Sequence, residues 1–222
     1  MQGHFNTATE IVLGYGCYKK EKGILNKLIR FDAFNVAMNY FSSSLGGRSY
    51  MGVGRNLAYR RSLFFKGKGF AKHNHLFSGD DDLFVNENST RVNTQIEIHP
   101  DSFTFSDPEL TFSAWLKQKS RHMSTSAHYK MLDKFKLFLF PFSGFVFYAS
   151  LITLLVLRFE WRILLSLYAC VLVLKLPVLW RNTTRLREKD LFWTYPLLEP
   201  VHLLLQPIFY LSNLFTKQKA WK

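Results

Sequence analysis

Three consecutive carboxylates, Asp80, Asp81 and Asp82, follow Gly79 in the segment Ser78–Phe84 (SGDDDLF). Crowded negative charge costs energy, and the free amides at a helix N-terminus offset it by about 0.3–1 kcal/mol each. Two readings follow. Asp80 or Asp81 caps a helix, or one of the three is a general base whose pKa its neighbours raise. The ligand spacing of a calcium-binding EF-hand is absent after them. A second group lies in Tyr50–Arg61 (YMGVGRNLAYRR), where glycines let backbone amides approach a ligand and Arg60 or Arg61 can meet a phosphate. Its spacing is neither that of a P-loop nor that of a dinucleotide fingerprint. A third group is Gln118–His122 (QKSRH), on a basic face with Lys117 and Lys119. Such a face is either a solvated surface or a clamp on a diphosphate, which a forked guanidinium binds well. Cys17 and Cys170 have no metal-ligand companions and suggest neither a zinc site nor a disulfide framework.

The polar elements that would position these groups run to about Lys136. Glu10–Tyr15 (EIVLGY) reads as a short buried strand. Ile24, Leu28, Phe31, Phe34, Met38 and Phe41 recur at helical spacing, and Ser42–Gly47 ends that helix. Packing into a core and docking at a membrane interface both suit it. A helix-like stretch runs from the aspartates through Val92. Gln95–Phe105 gives two short strands around His99–Pro100–Asp101, and Leu110–Met123 gives a helix carrying Trp115.

From Leu137 the composition changes. Leu137–Leu157 has no charged residue and is about the 20 residues that a bilayer core requires. Arg158, Glu160 and Arg162 break it, and a second apolar run covers Ile163–Trp180. Two spans with so short a connection form a hairpin. Lys130, Lys134 and Lys136 on one flank and Arg181, Arg185, Arg187 and Lys189 on the other place both ends on the cytoplasmic side. Leu191–Phe215 is apolar, but Pro196, Glu199, Pro200, His202 and Pro207 favour an interfacial or re-entrant helix over a clean span. Lys217, Lys219 and Lys222 keep its tail cytoplasmic. The 222-residue chain carries a net charge of +13. Nucleic acid would suit that charge, but the long apolar runs favour a membrane. The polar Met1–Glu10 lacks the apolar core of a signal peptide.

In order, these segments resemble the second, acceptor-side half of the catalytic domain of family 2 glycosyltransferases, the bacterial membrane-anchored members above all. EIVLGYG at Glu10–Gly16 looks like the strand after the donor-binding half. GRNLAYRRS at Gly54–Ser62 looks like the segment under the acceptor, and GDDDLF at Gly79–Phe84 stands where that family has its Glu-Asp motif and base. QKSRH looks like Q-x-x-R-W, with His122 in place of the tryptophan. The resemblance implies an α/β fold: a partial GT-A-like domain over 1–128, a basic juxtamembrane linker over 129–136, a transmembrane hairpin over 137–190, and a third apolar or interfacial segment over 191–222. It implies inverting transfer from a nucleotide-sugar to a lipid or saccharide acceptor at the bacterial inner membrane, with no nucleic acid partner. Asp80 or Asp81 would be the base, with Asp82 beside them. Gly54, Asn56, Arg60, Gln118, Arg121 and His122 would hold substrate. A divalent cation, Mg or Mn, is expected, but the family's D-x-D ligands precede the strand matching Glu10–Gly16. On this reading the chain is a fragment that is inactive alone. A membrane protein whose basic cytoplasmic domain binds acidic partners or lipid headgroups is the rival from another class.

Overall fold

The computed structural model describes residues 1–71 and 79–215, so Ser78 and the tail lysines Lys217, Lys219 and Lys222 lie outside the described residues. Strand β1 (Ile11–Gly14) is buried at every position, the pattern of a strand covered on both faces. It is central in a three-stranded sheet, antiparallel to β3 (Leu57–Tyr59) and parallel to β4 (Thr94–Glu97). After Tyr15 the chain continues as β2 (Gly16–Tyr18), which pairs in parallel with β5 (Thr104–Ser106). The two strands around His99–Pro100–Asp101 therefore do not pair with each other. They extend two consecutive parallel ladders, separated by a 3-10 turn at Pro100–Ser102.

Helix α1 (Ile24–Leu45) ends where the Gly46 N–H turns back onto Ser42 O, 2.9 Å away, and Gly47 takes a left-handed φ of +79°. Phe31, Phe34 and Phe41 of the expected stripe are buried, and so are Ile29, Ala37 and Tyr40 around it. With the β2 strand on one side and the C-terminal helix on another, α1 is a core helix, not an interfacial one. The short α2 (Arg61–Lys66) follows β3, and α3 (Asp80–Asn88) begins at the aspartates. It stops at Asn88 instead of Val92, because Asn93 and Thr90 bond each other across the next turn. Helix α4 (Phe112–Ser126) is capped by Thr111, whose hydroxyl accepts from Ala114 N at 3.2 Å.

Helices α5 (Met131–Val156) and α6 (Trp161–Arg185) are long and apolar enough to cross a membrane, with 0% and 11% of their apolar windows buried. Phe138, Phe145, Ile152, Leu167 and Leu174 all face outward. So large an apolar surface marks contact with lipid or a partner. Most of the basic segment 129–136 is helical, since α5 begins at Met131 and carries Lys134 and Lys136 in its first turns. Helix α7 (Lys189–Phe215) has two apolar sides. Leu191, Tyr195, Leu198, Leu205 and Phe209 form one buried stripe against the protein, while Trp193, Leu197, Leu204 and Ile208 face out. Glu199 explains one of its unexpected polar residues. Its Oε1 accepts from Lys175 Nζ on α6 at 2.8 Å and its Oε2 from Tyr148 OH on α5 at 2.8 Å. Such pairing is what an ionisable residue among apolar helices needs.

Candidate active site

The three aspartates open α3, but none of them is its cap. Gly79 is the N-cap, in the left-handed region at φ +85°. A Cβ at that position would also lie 2.1 Å from Thr125 of α4, so glycine is required on two grounds. Successive helical residues point about 100° apart, and the carboxylates fan out accordingly. Asp80 is exposed, Asp81 half-buried and Asp82 buried. Asp81 Oδ2 accepts from the Gly54 amide at 2.5 Å. Gly54 is needed there, since a Cβ on it would overlap that same oxygen. Burial raises the Asp81 pKa above the usual carboxylate range, with Asp80 adding to the rise and the Gly54 N–H working against it.

Asp82 is pushed well above the ordinary range, first by burial and then by the Asp81 charge, although Tyr129 OH and the Gly52 amide bond to it. Its protonated form is therefore the one the fold favours. Stability from this group is fully present below the pKa of an unfolded aspartate and is lost as pH rises through the raised folded pKa. Asp82→Asn, a mimic of the protonated side chain, is expected to melt above wild type at about pH 9, with the gap closing toward about pH 4. Thermal unfolding across that range checks this; a gap independent of pH would contradict it.

Asp81 and Asp82 line a cavity of about 610 Å³. Gly16, Tyr18, Arg55, Gln118 and His122 line the wall with them. Tyr18 OH donates to Gln118 Oε1 at 3.3 Å. His122 is exposed on the cavity wall, and its pKa falls to about 4. The surrounding protein lowers it first, followed by Lys119, Arg121 and Arg55, so the imidazole is neutral at neutral pH. Further along, Asp32 of α1 accepts from Lys119 Nζ at 2.8 Å and lies 3.0 Å from His202 Nε2 of α7. Beyond these the wall turns apolar at Leu137, Phe140 and Pro141 of α5 and Leu203 of α7. Pro141 is eight residues past Asp133, whose carboxylate shares Asn86 and Arg48 with the α3 region. At 1.5 Å per residue the apolar end is about 12 Å further along α5.

Only some of the expected site residues meet here. Asp80 is outside the cavity wall, and Arg121 is exposed on α4, also outside it. Gly54 acts through Asp81. Asn56 is a buried staple, its amide donating to Tyr15 O at 2.9 Å and Ser102 O at 2.8 Å. Arg60 is spent on Thr9 O and Asn6 O, and Arg61 lies over Phe65. Two arginines that the motif reading passed over do line the cavity, Arg48 and Arg55. Asp32 and His202 were also missed, although a carboxylate inside the apolar stripe of α1 and a histidine inside α7 were visible signals.

The sequence profile described as Glycosyl transferase family 21 matches residues 10–222, nearly the whole chain. The chain belongs to glycosyl transferase family 21. Comparison with curated proteins and with solved structures returned no match. The expected class, a glycosyltransferase, is correct and the expected family number is not. For a family 21 protein a sugar donor and an acceptor are the substrates. Among the described residues, no three Asp, Glu, His or Cys side chains converge as a metal ion requires. The three aspartates point apart and do not form such a group themselves.

Proposed function

We propose that this family 21 chain forms the acceptor side of an inverting, GT-A-like glycosyltransferase, moving a sugar from a nucleotide-diphosphate donor to a hydroxyl of a lipid acceptor. Helices α5 and α6 cross the membrane, and their basic flanks set the catalytic part on the cytoplasmic face. The observation that carries this reading is a single cavity whose wall holds both the Asp81 carboxylate and the apolar side chains of Phe140, Pro141 and Leu203. A lipid's hydroxyl meets the carboxylate while its chains lie along α5 and α7. A free saccharide would have no use for the apolar end.

In the reaction the acceptor oxygen attacks the anomeric carbon and its proton passes to Asp81. The bond from that carbon to the diphosphate oxygen breaks, and the diphosphate leaves with the electron pair. Asp81 suits this task because its raised pKa makes it a stronger base than a surface aspartate while it remains open to the cavity. Behind it, burial shifts Asp82 toward its protonated form, which lessens the negative charge beside the base.

Narrowing the apolar end tests the lipid. Phe140→Trp combined with Leu203→Trp is expected to raise KM for a lipid acceptor about tenfold or more, the scale of misfitting a few methylenes, with KM for the donor unchanged. Equal effects on both substrates, or none, would remove the lipid from the proposal.

A further inference from the structure

The turn Gly54–Asn56 has a third residue whose charge the scheme above does not use. Its neighbours are committed: the Gly54 amide holds Asp81, and the Asn56 side chain joins the turn to Tyr15 and Ser102. Arg55 donates from Nη1 to Cys17 O at 3.3 Å and from Nη2 to Gly16 O at 3.0 Å. Its guanidinium carbon lies 4.3 Å from the centre of the Tyr18 ring. The head group is thus fixed on the cavity wall together with Asp81, Gln118 and His122.

Carbonyls satisfy N–H groups without cancelling a positive charge. Lys119 and Arg48, also in the wall, are each neutralised by an aspartate, Asp32 and Asp133. Among the described residues Arg55 has no carboxylate within ion-pair distance. Two of its five N–H donors are spent, and a guanidinium fork matches phosphoryl oxygens.

We propose that Arg55 is a phosphoryl-binding residue of this cavity, taking an oxygen of a phosphate-bearing substrate beside Asp81. Two sources carry that chemistry: the diphosphate of the sugar donor, and a phosphate in the headgroup of the acceptor lipid. The choice of substrates rests on the function proposed above, so binding is measured without turnover and the two ideas fail separately.

The experiment uses the protein at its full natural length in lipid nanodiscs, as wild type, Arg55→Gln and Arg55→Lys. Glutamine keeps an amide for the carbonyls without the charge; lysine keeps the charge without the fork. Inorganic pyrophosphate and uridine and guanosine diphosphates are titrated as soluble probes, and nanodiscs with and without phosphatidate supply the lipid probe. Arg55→Gln is expected to weaken at least one probe class by about tenfold or more, the worth of one charged hydrogen bond. Arg55→Lys should fall between it and wild type. Loss confined to the soluble probes assigns the donor, and loss confined to phosphatidate assigns the lipid. If Arg55→Gln unfolds, weakened binding by a folded Arg55→Lys carries the same conclusion. Wild-type binding of every probe by the folded variants would overturn the proposal, as would a wild type that binds none. Arg55-dependent binding without any sugar transfer would leave it standing and sink the glycosyl-transfer reading instead.

Discussion

Asp81→Asn is expected to lower turnover by roughly 10²–10⁴-fold, the range a general base contributes, with the folded structure retained. Asparagine still offers an oxygen to the Gly54 amide that Asp81 accepts from, so the turn opposite keeps its anchor. It cannot take the acceptor's proton. The neighbours provide the contrast: Asp80 is exposed and outside the cavity wall, so Asp80→Asn should leave turnover near wild type. The pH dependence follows from the same carboxylate. The base acts as the anion and its pKa is raised, so kcat/KM should rise with pH through a limb above the usual aspartate range. Asp81→Asn should abolish that limb. Turnover surviving Asp81→Asn, or lost equally in Asp80→Asn, would move the base elsewhere.

The largest expected stability effect lies where the hairpin meets the sheet domain. Arg30 of α1 is 2% exposed and bonds both Glu188, in the turn from α6 to α7, and Asp190 at the start of α7. Glu188, also 2% exposed, receives Tyr15 OH at 3.4 Å, and Lys20 reaches Asp190 at 2.7 Å. Arg30→Met leaves the buried Glu188 carboxylate with only Tyr15 OH and the longer Lys20 contact at 3.9 Å, and is expected to cost about 3–5 kcal/mol, as removing one partner of a buried pair does. Glu188→Gln should cost less, because Asp190 still partners Arg30. Chemical or thermal unfolding in detergent measures both. Equal costs, or an Arg30→Met cost under about 1 kcal/mol, would show that this joint does not hold the two parts together.

Much of the scaffold was legible because its signals are local. The apolar run Ile11–Leu13, the Phe31–Phe34–Phe41 stripe and the uncharged stretch after Leu137 each match the element that forms. The candidate site was legible as a region of the sequence but not as a set of side chains. Asp80 looked like a cap because acidic residues commonly cap helices; the left-handed backbone at Gly79 and its contact with Thr125 depend on α4 packing beside it. Arg60 looked as fit for a phosphate as any arginine. Only the 3-10 turn at Gly54–Asn56 settles that Arg55 faces the cavity while Arg60 turns back to Thr9. Strand pairing shows the same limit, since β4 and β5 flank a turn yet pair with β1 and β2. On α7, Glu199 and His202 counted as interruptions to an apolar segment. Their partners Lys175, Tyr148 and Asp32 come from other helices, which periodicity does not record.

The most direct test of the account is a transfer assay on the protein at its full natural length in lipid nanodiscs. Labelled nucleotide-sugars would be offered with a membrane lipid extract, with Asp81→Asn run in parallel. Label is expected in an organic-soluble glycolipid with inverted anomeric configuration, and is expected to be lost in Asp81→Asn. Label confined to water-soluble products, or a glycolipid formed equally well by Asp81→Asn, would contradict it.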